Sequence, residues 1–344
     1  MTGLTTRRVG VFAVLVAAVA VAAVVSAGIG QNPVPLGQVI GSLLHHLHVP
    51  AGPLPDQTGE ETLWSVRFPR VVLALLVGAA LATAGAVLQG VFANPLADPG
   101  VIGVSSGAAA GAATVIAIGG LGVAGYAVAG GAFAAGMVTT SIVYVFARSG
   151  GRTEVVTLIL TGIAVNAFAG GVIAWCTFRA TPTARDQIVF WQLGSLNRAT
   201  WSQVYLVAPF VAVGLVAALL LARRIDLLSL GEYSASHLGV DVERLRRYAV
   251  VVVAVLTAAA VSFCGIILFV GLVIPHLMRL LVGPRHATLI PASALAGALL
   301  LTITDLGART LVGYADLPLG MLTSLVGGPA FLLLLRRSMR GGRP

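Results

Sequence analysis

Apolar residues run in long blocks along this chain, and polar ones gather in the breaks between them. The blocks fall at 9–29, 69–92, 101–119, 122–147, 155–178, 203–222, 248–264, 268–282, 288–307 and 319–336. Most are close to the roughly 20 residues a helix needs to cross a hydrocarbon layer. The period-2 alternation of a membrane barrel is absent. The pattern predicts ten transmembrane helices. The seventh and eighth meet in "SFCGIILFVGLVIP", where only Gly265 and Gly271 punctuate the run. The first block follows Arg7 and Arg8 and has the form of a signal peptide. Because further spans follow, it is read as a retained helix.

Composition points the same way. The chain is 58% hydrophobic and 10% charged, where soluble domains carry about 25% charged residues. Residues 1–344 are read as one transmembrane domain of an all-α integral membrane protein. All 21 basic residues are arginine, and the net charge is +9. Such a balance can point to nucleic acid, but in a membrane chain it marks cytoplasmic loops. With both termini inside, 15 arginines face the cytoplasm; Arg67, Arg70, Arg179, Arg185, Arg198 and Arg309 face outside. That asymmetry sets the orientation, and no nucleic-acid partner is expected.

Chemistry-bearing residues are sparse. There is no GxxxxGK[ST] phosphate loop, so the chain is no ATPase of that kind. The acids lie in loops or near helix ends, which argues against an ion-coupled secondary transporter. No His, Asp or Glu cluster within the spans supports an embedded enzyme. Cys176 and Cys264 sit in apolar runs, with neither a metal nor a disulfide pattern. His45, His46 and His48 are dense but external; a solvated or interfacial loop stands beside metal or heme contact as readings. His276 follows Pro275, with a structural role set against heme ligation. Asp305 is expected to pair with Arg309, four residues on. No metal site is expected.

Several stretches together go further. "RFPRVVLALLVGAALATAGAVLQGVFANPLADPGVIGVSSGAAAG", "GEYSASHLGV", "FVGLVIPHLMRLLVGPRH" and "DLPLGMLTSLVGGPAFLLLLRR" resemble the FecCD-type permeases of type II ABC importers. The likeness runs over nearly the whole chain, in order. It implies a homodimer in the bacterial cytoplasmic membrane with a central path. It also implies two cytoplasmic ATPase subunits that use the ATP, an extracytoplasmic substrate-binding protein, and no covalently bound cofactor. By resemblance, Arg67, Arg70 and Arg309 meet acidic side chains of the binding protein. Asn94, Pro95 and Leu96 help close the inner end of the path. A companion gate falls at Val155 and Val156, aliphatic here where some relatives carry small polar residues. Within the inner loop 223–247, Gly231, Glu232, Tyr233, Ser234, Ala235, Leu238 and Gly239 dock on the ATPase, on two short helices. The outer run "DQIVFWQLGSLNRATW" looks most like heme-importing members. Heme is therefore the first expected cargo, ahead of a ferric siderophore and then cobalamin.

Overall fold

Small residues decide how these blocks can assemble, because in lipid the packing of backbones replaces the hydrophobic drive between helices. The computed structural model describes residues 2–119, 125–149, 152–313 and 315–341. They form α1 (Thr2–Gly28), α2 (Leu36–His46), α3 (Gln57–Thr62), α4 (Phe68–Val91), α5 (Val104–Gly119), α6 (Gly125–Phe146) and α7 (Val155–Arg179). There follow α8 (Pro182–Leu193), α9 (Trp201–Leu228), α10 (Glu232–His237), α11 (Val242–Cys264), α12 (Val270–Val282), α13 (His286–Ala308) and α14 (Leu319–Gly341). A hairpin of two-residue strands, β1 (Arg148–Ser149) and β2 (Arg152–Thr153), joins α6 to α7.

Each predicted block lies on one helix: α1, α4, α5, α6, α7, α9, α11, α12, α13 or α14. Seven of these, α1, α4, α6, α7, α9, α11 and α13, are long and apolar enough to cross a membrane, whereas the apolar runs of α5, α12 and α14 are shorter. The 13 residues of α12 extend only about 20 Å at 1.5 Å per residue. The break between the seventh and eighth blocks opens at Gly265, in the left-handed region at φ 72°. It closes at Phe269, a non-glycine residue held at φ 67°. Gly327 of α14 makes room there; a Cβ on it would lie 2.5 Å from that of Phe269.

Helix α4 is the hub, with all but four of its 24 residues buried. A Cβ on Gly78 would lie 2.2 Å from the Gly297 carbonyl oxygen of α13, and one on Gly85 would lie 1.8 Å from that of Gly271 in α12. Gln89 on the same helix donates to the carbonyls of Gly271 and Leu272, at 3.3 and 3.1 Å.

Three local expectations change. The outer loop 179–201 contains a helix, α8, capped by Thr181, whose hydroxyl accepts from Ala184 N. Helix α9 runs six residues past its apolar block and α11 begins six residues before its own. The inner loop therefore holds one short helix, α10, and not two. Asp241 caps α11 directly, accepting from Arg244 N at 3.0 Å.

Candidate functional site

At the end that the arginine asymmetry predicts to be the outer one, a turn of π-helix at Leu63–Arg67 leads into α4 and places Arg67 beside the C-terminus of α1. The last carbonyls of a helix lack partners within it. Arg67 supplies them: Nη1 donates to the carbonyls of Ala27 at 2.7 Å and Gly28 at 3.0 Å, and Nη2 to that of Asn32. Arg309 does the same from α13, donating to Ile29 O at 2.8 Å and to Ser26 O and Oγ. Arg70 Nε contacts both oxygens of Asp305 at 3.0 Å, and its Nη1 donates to Asp316 at 2.9 Å. The expected pair of Asp305 with Arg309 is present at 3.7 Å, but Arg70, 235 residues away, is the nearer partner.

Three arginines and two carboxylates thus tie α1, α4, α13 and the segment before α14 into one cluster. The arginines face inward: Arg67 is 5% and Arg70 7% exposed. Little of either guanidinium is open to a partner outside.

Asp316 also borders a cavity of about 590 Å³ at the outer side, within the volume range of small-molecule sites. Phe190 and Trp191 of α8, Phe263 of α11, and Asp186 and Arg198 also line it.

At the inner end, α4 stops through Ala93, in the left-handed region at φ 47°. The next residue forms a side-chain turn, Asn94 Oδ1 accepting from Leu96 N at 2.9 Å. Pro95 cannot continue the helix, and it and Leu96 are exposed. A short turn, Pro99–Ile102, follows and rests on α7. A Cβ on Gly162 would lie 1.9 Å from Val101 O, and Asn166 Nδ2 donates to Gly100 O at 3.3 Å. On the first turn of α7, Val155 is half-buried and Val156 is 69% exposed.

The loop around α10 divides into a face and an anchor. Gly231 and Gly239 flank the helix at φ 97° and 83°, conformations that disfavour any side chain. Tyr233, Ser234, Leu238 and Gly239 are exposed. Ala235 is fully buried and fastens α10 to the chain. The His237 ring packs against that of Tyr233, tilted by 48°, with centroids 4.3 Å apart. Glu232 is held by Arg246 Nη2.

Arg246 is itself buried, and its Nη1 donates to Thr153 O at 2.9 Å. Glu243, on the same turn of α11, accepts from Thr153 N at 2.8 Å and from its hydroxyl at 2.7 Å. Burial pushes the Glu243 carboxyl up, but the two Thr153 bonds and Arg246 outweigh it and hold it below the ordinary value. Thr153, Glu243, Arg246 and Asp316 were absent from the sequence-based site. The only sequence signal for them is the Glu243–Arg246 spacing of three on a helix.

His276 is half-buried on α12. His46 packs against Trp64, with ring centroids 3.9 Å apart and the planes tilted by 30°, and lies 3.5 Å from Glu60. Among the described residues no group of three or more His, Cys, Asp or Glu is placed to hold a metal ion.

A sequence model described as the FecCD transport family matches residues 3–337. The chain belongs to the FecCD transport family. It is 38% identical to the cobalamin import system permease protein BtuC of Halobacterium salinarum, over 91% of this chain and 88% of that one. It is 40% identical to the hemin transport system permease protein HmuU of Yersinia pestis, over 81% and 85%. A solved structure described as an inward-facing conformation of a metal-chelate type ABC transporter superposes with a TM-score of 0.84 at 32% identity. It covers 95% of this chain and 98% of that one. As a FecCD member, the chain is a multi-pass permease subunit of an ABC importer with type II architecture, not an enzyme. Its partners are a separate ATPase subunit and a substrate-binding protein.

Proposed function

We propose that two copies of this permease form the import path for a metal tetrapyrrole, with heme the foremost cargo. The observation that carries this is the outer cavity. Phe190, Trp191 and Phe263 offer aromatic faces at its wall and Arg198 a guanidinium. Heme is a flat aromatic ring with two carboxylates, and guanidinium–carboxylate contacts orient as well as attract. The "DQIVFWQLGSLNRATW" run and the 40% identity to a hemin permease support the same cargo. Cobalamin is the second reading, favoured by the longer match to a cobalamin permease. A ferric siderophore is third, in keeping with the metal-chelate neighbour.

Both termini lie in the cytoplasm. Outside, the binding protein docks over the ends of α1, α4 and α13, a platform that Arg67, Arg70 and Arg309 hold together from beneath. Inside, Gly231, Glu232, Tyr233, Ser234, Leu238 and Gly239 present α10 to the ATPase. Asn94, Pro95 and Leu96, with Val155 and Val156, close the inner end as a largely apolar constriction.

The test is titration of the partner binding protein with heme, cobalamin and several ferric siderophores, followed by uptake into vesicles. Heme should bind, and its uptake should require ATP and the binding protein. Uptake driven by a proton gradient alone overturns the importer reading. Arg198→Ala should lower heme uptake about tenfold, the size of one lost charge-assisted contact. Cobalamin uptake should be unchanged, because amides replace the free carboxylates on its ring. An equal loss for both cargoes removes Arg198 from cargo recognition.

A further inference from the structure

Helix α10 and the strand β2 that leads into α7 are far apart in sequence, yet one side chain touches both. Arg246 binds Glu232 on α10 through Nη2 and the Thr153 carbonyl through Nη1. Its partner Glu243 takes the N–H and the hydroxyl of the same threonine. Thr153 is therefore gripped at its N–H, carbonyl and hydroxyl, two residues ahead of Val155. It is buried, as is Arg246, so water competes poorly for these charge-assisted bonds.

The contacts continue beyond this point. Helix α7 carries Gly162, against whose Cα the Val101 carbonyl sits too closely for any side chain. One turn further, Asn166 donates to Gly100 O and accepts from the Ser106 hydroxyl. The Gly162 and Asn166 contacts to Val101 and Gly100 seat the Pro99–Ile102 turn, which begins three residues after Leu96. A displacement of α10 therefore has a continuous route of polar and close-packed contacts: Glu232, Arg246 with Glu243, Thr153, α7, then the 99–102 turn. Loops whose backbone is free to flex absorb motion. This one is pinned at each step.

We propose that Arg246 and Glu243 are the positioning residues that carry ATPase-driven movement of α10 to the start of α7, so that both inner gate segments move together. This rests on the importer reading, in which α10 meets the ATPase.

The experiment uses the full complex of permease, ATPase and binding protein in vesicles, with Arg246→Met and, separately, Glu243→Ala. Glu243→Ala leaves α10 and its Glu232 untouched. Both variants should keep the ATPase bound and hydrolysing, while cargo taken up per ATP falls about tenfold, within the range of typical coupling energies. Spin labels at Glu154→Cys and Ser236→Cys, in a background with Cys176 and Cys264 replaced, report the distance between the two segments. In the parent, that distance should stay fixed when ATP and vanadate are added. In Arg246→Met it should shift or broaden. A role limited to stability would lower the amount of folded protein and leave uptake per ATP unchanged. Unchanged uptake per ATP in both variants, or a label distance that behaves as in the parent, overturns the proposal. If the parent complex itself neither holds an ATPase nor imports cargo, the importer reading fails instead.

Discussion

The two ends of this permease each carry an arginine–carboxylate cluster, and they are built differently. At the outer end Arg70 and Asp305 are both buried, and Arg67 and Arg309 donate to backbone carbonyls at the end of α1. At the inner end Arg246 is buried, but Glu232, one of its two carboxylates, stands on an exposed six-residue helix, its side chain 62% exposed. The outer cluster centres on the buried Arg70–Asp305 pair, with a quarter-exposed Asp316 at its edge, and the inner one ends on an exposed helix. A buried ion pair fixes a geometry, because any opening leaves a charge without a partner in a poor solvent. Glu232, far more exposed than Asp316, yields more cheaply, so it can follow a partner. The comparison assigns the outer end to holding and the inner end to transmitting.

The largest expected effect is at the outer end. Asp305→Asn leaves Arg70 and Arg309 facing each other with only Asp316 to balance them. Breaking a buried ion pair costs about 3–5 kcal/mol, which thermal unfolding of the purified permease in detergent should register as a sharp fall in Tm. A change no larger than that of Glu232→Gln would erase the distinction between the two ends. Next in size is Gly162→Ala, which drives a methyl into Val101 O. Overpacking of this kind costs about 1–3 kcal/mol, and uptake should fall more than ATPase attachment, since the 99–102 turn must move off α7. Equal loss of both would place Gly162 in general packing. The smallest effect is pH dependence at Glu243. Its carboxyl is depressed in the folded chain, so its contribution to stability is complete above the ordinary glutamate value of about 4.3. It is lost as pH falls through the lower folded value. Tm measured from pH 7 downward should show a small acid-side loss that Glu243→Gln lacks.

Hydropathy located ten of the helices because apolar runs of this length favour helix in lipid, and seven of them are long and apolar enough to cross a membrane. It could not find their ends, since helices outlast the bilayer: Arg223, Arg224 and Asp226 are too polar for lipid but good enough for α9 to run to Leu228. The same extension of α11 from Asp241 left room for one inner helix where two were expected. Helix α8 was missed because its residues mix polar and aromatic types without an apolar block. The site was legible where partners are close in sequence, as for Asp305 with Arg309. The bonds from Arg70 to Asp305, or from Arg246 to Thr153, span 235 and 93 residues. No local pattern announces them. For the same reason the arginines at 67, 70 and 309 read as surface groups, whereas the fold turns them inward.

The capping of α1 by Arg67 and Arg309 has a consequence for biogenesis. Helix α1 is made before α4 and α13, with the last carbonyls of its outer end unpaired. Arg67 reaches them only after another 40 residues have been made, and Arg309 only 283 residues after Ser26. Helix α1 is thus locked long after it is made, once α13 has followed it. A chain cut short before residue 309 would leave the carbonyls of Ser26 and Ile29 without these guanidinium partners.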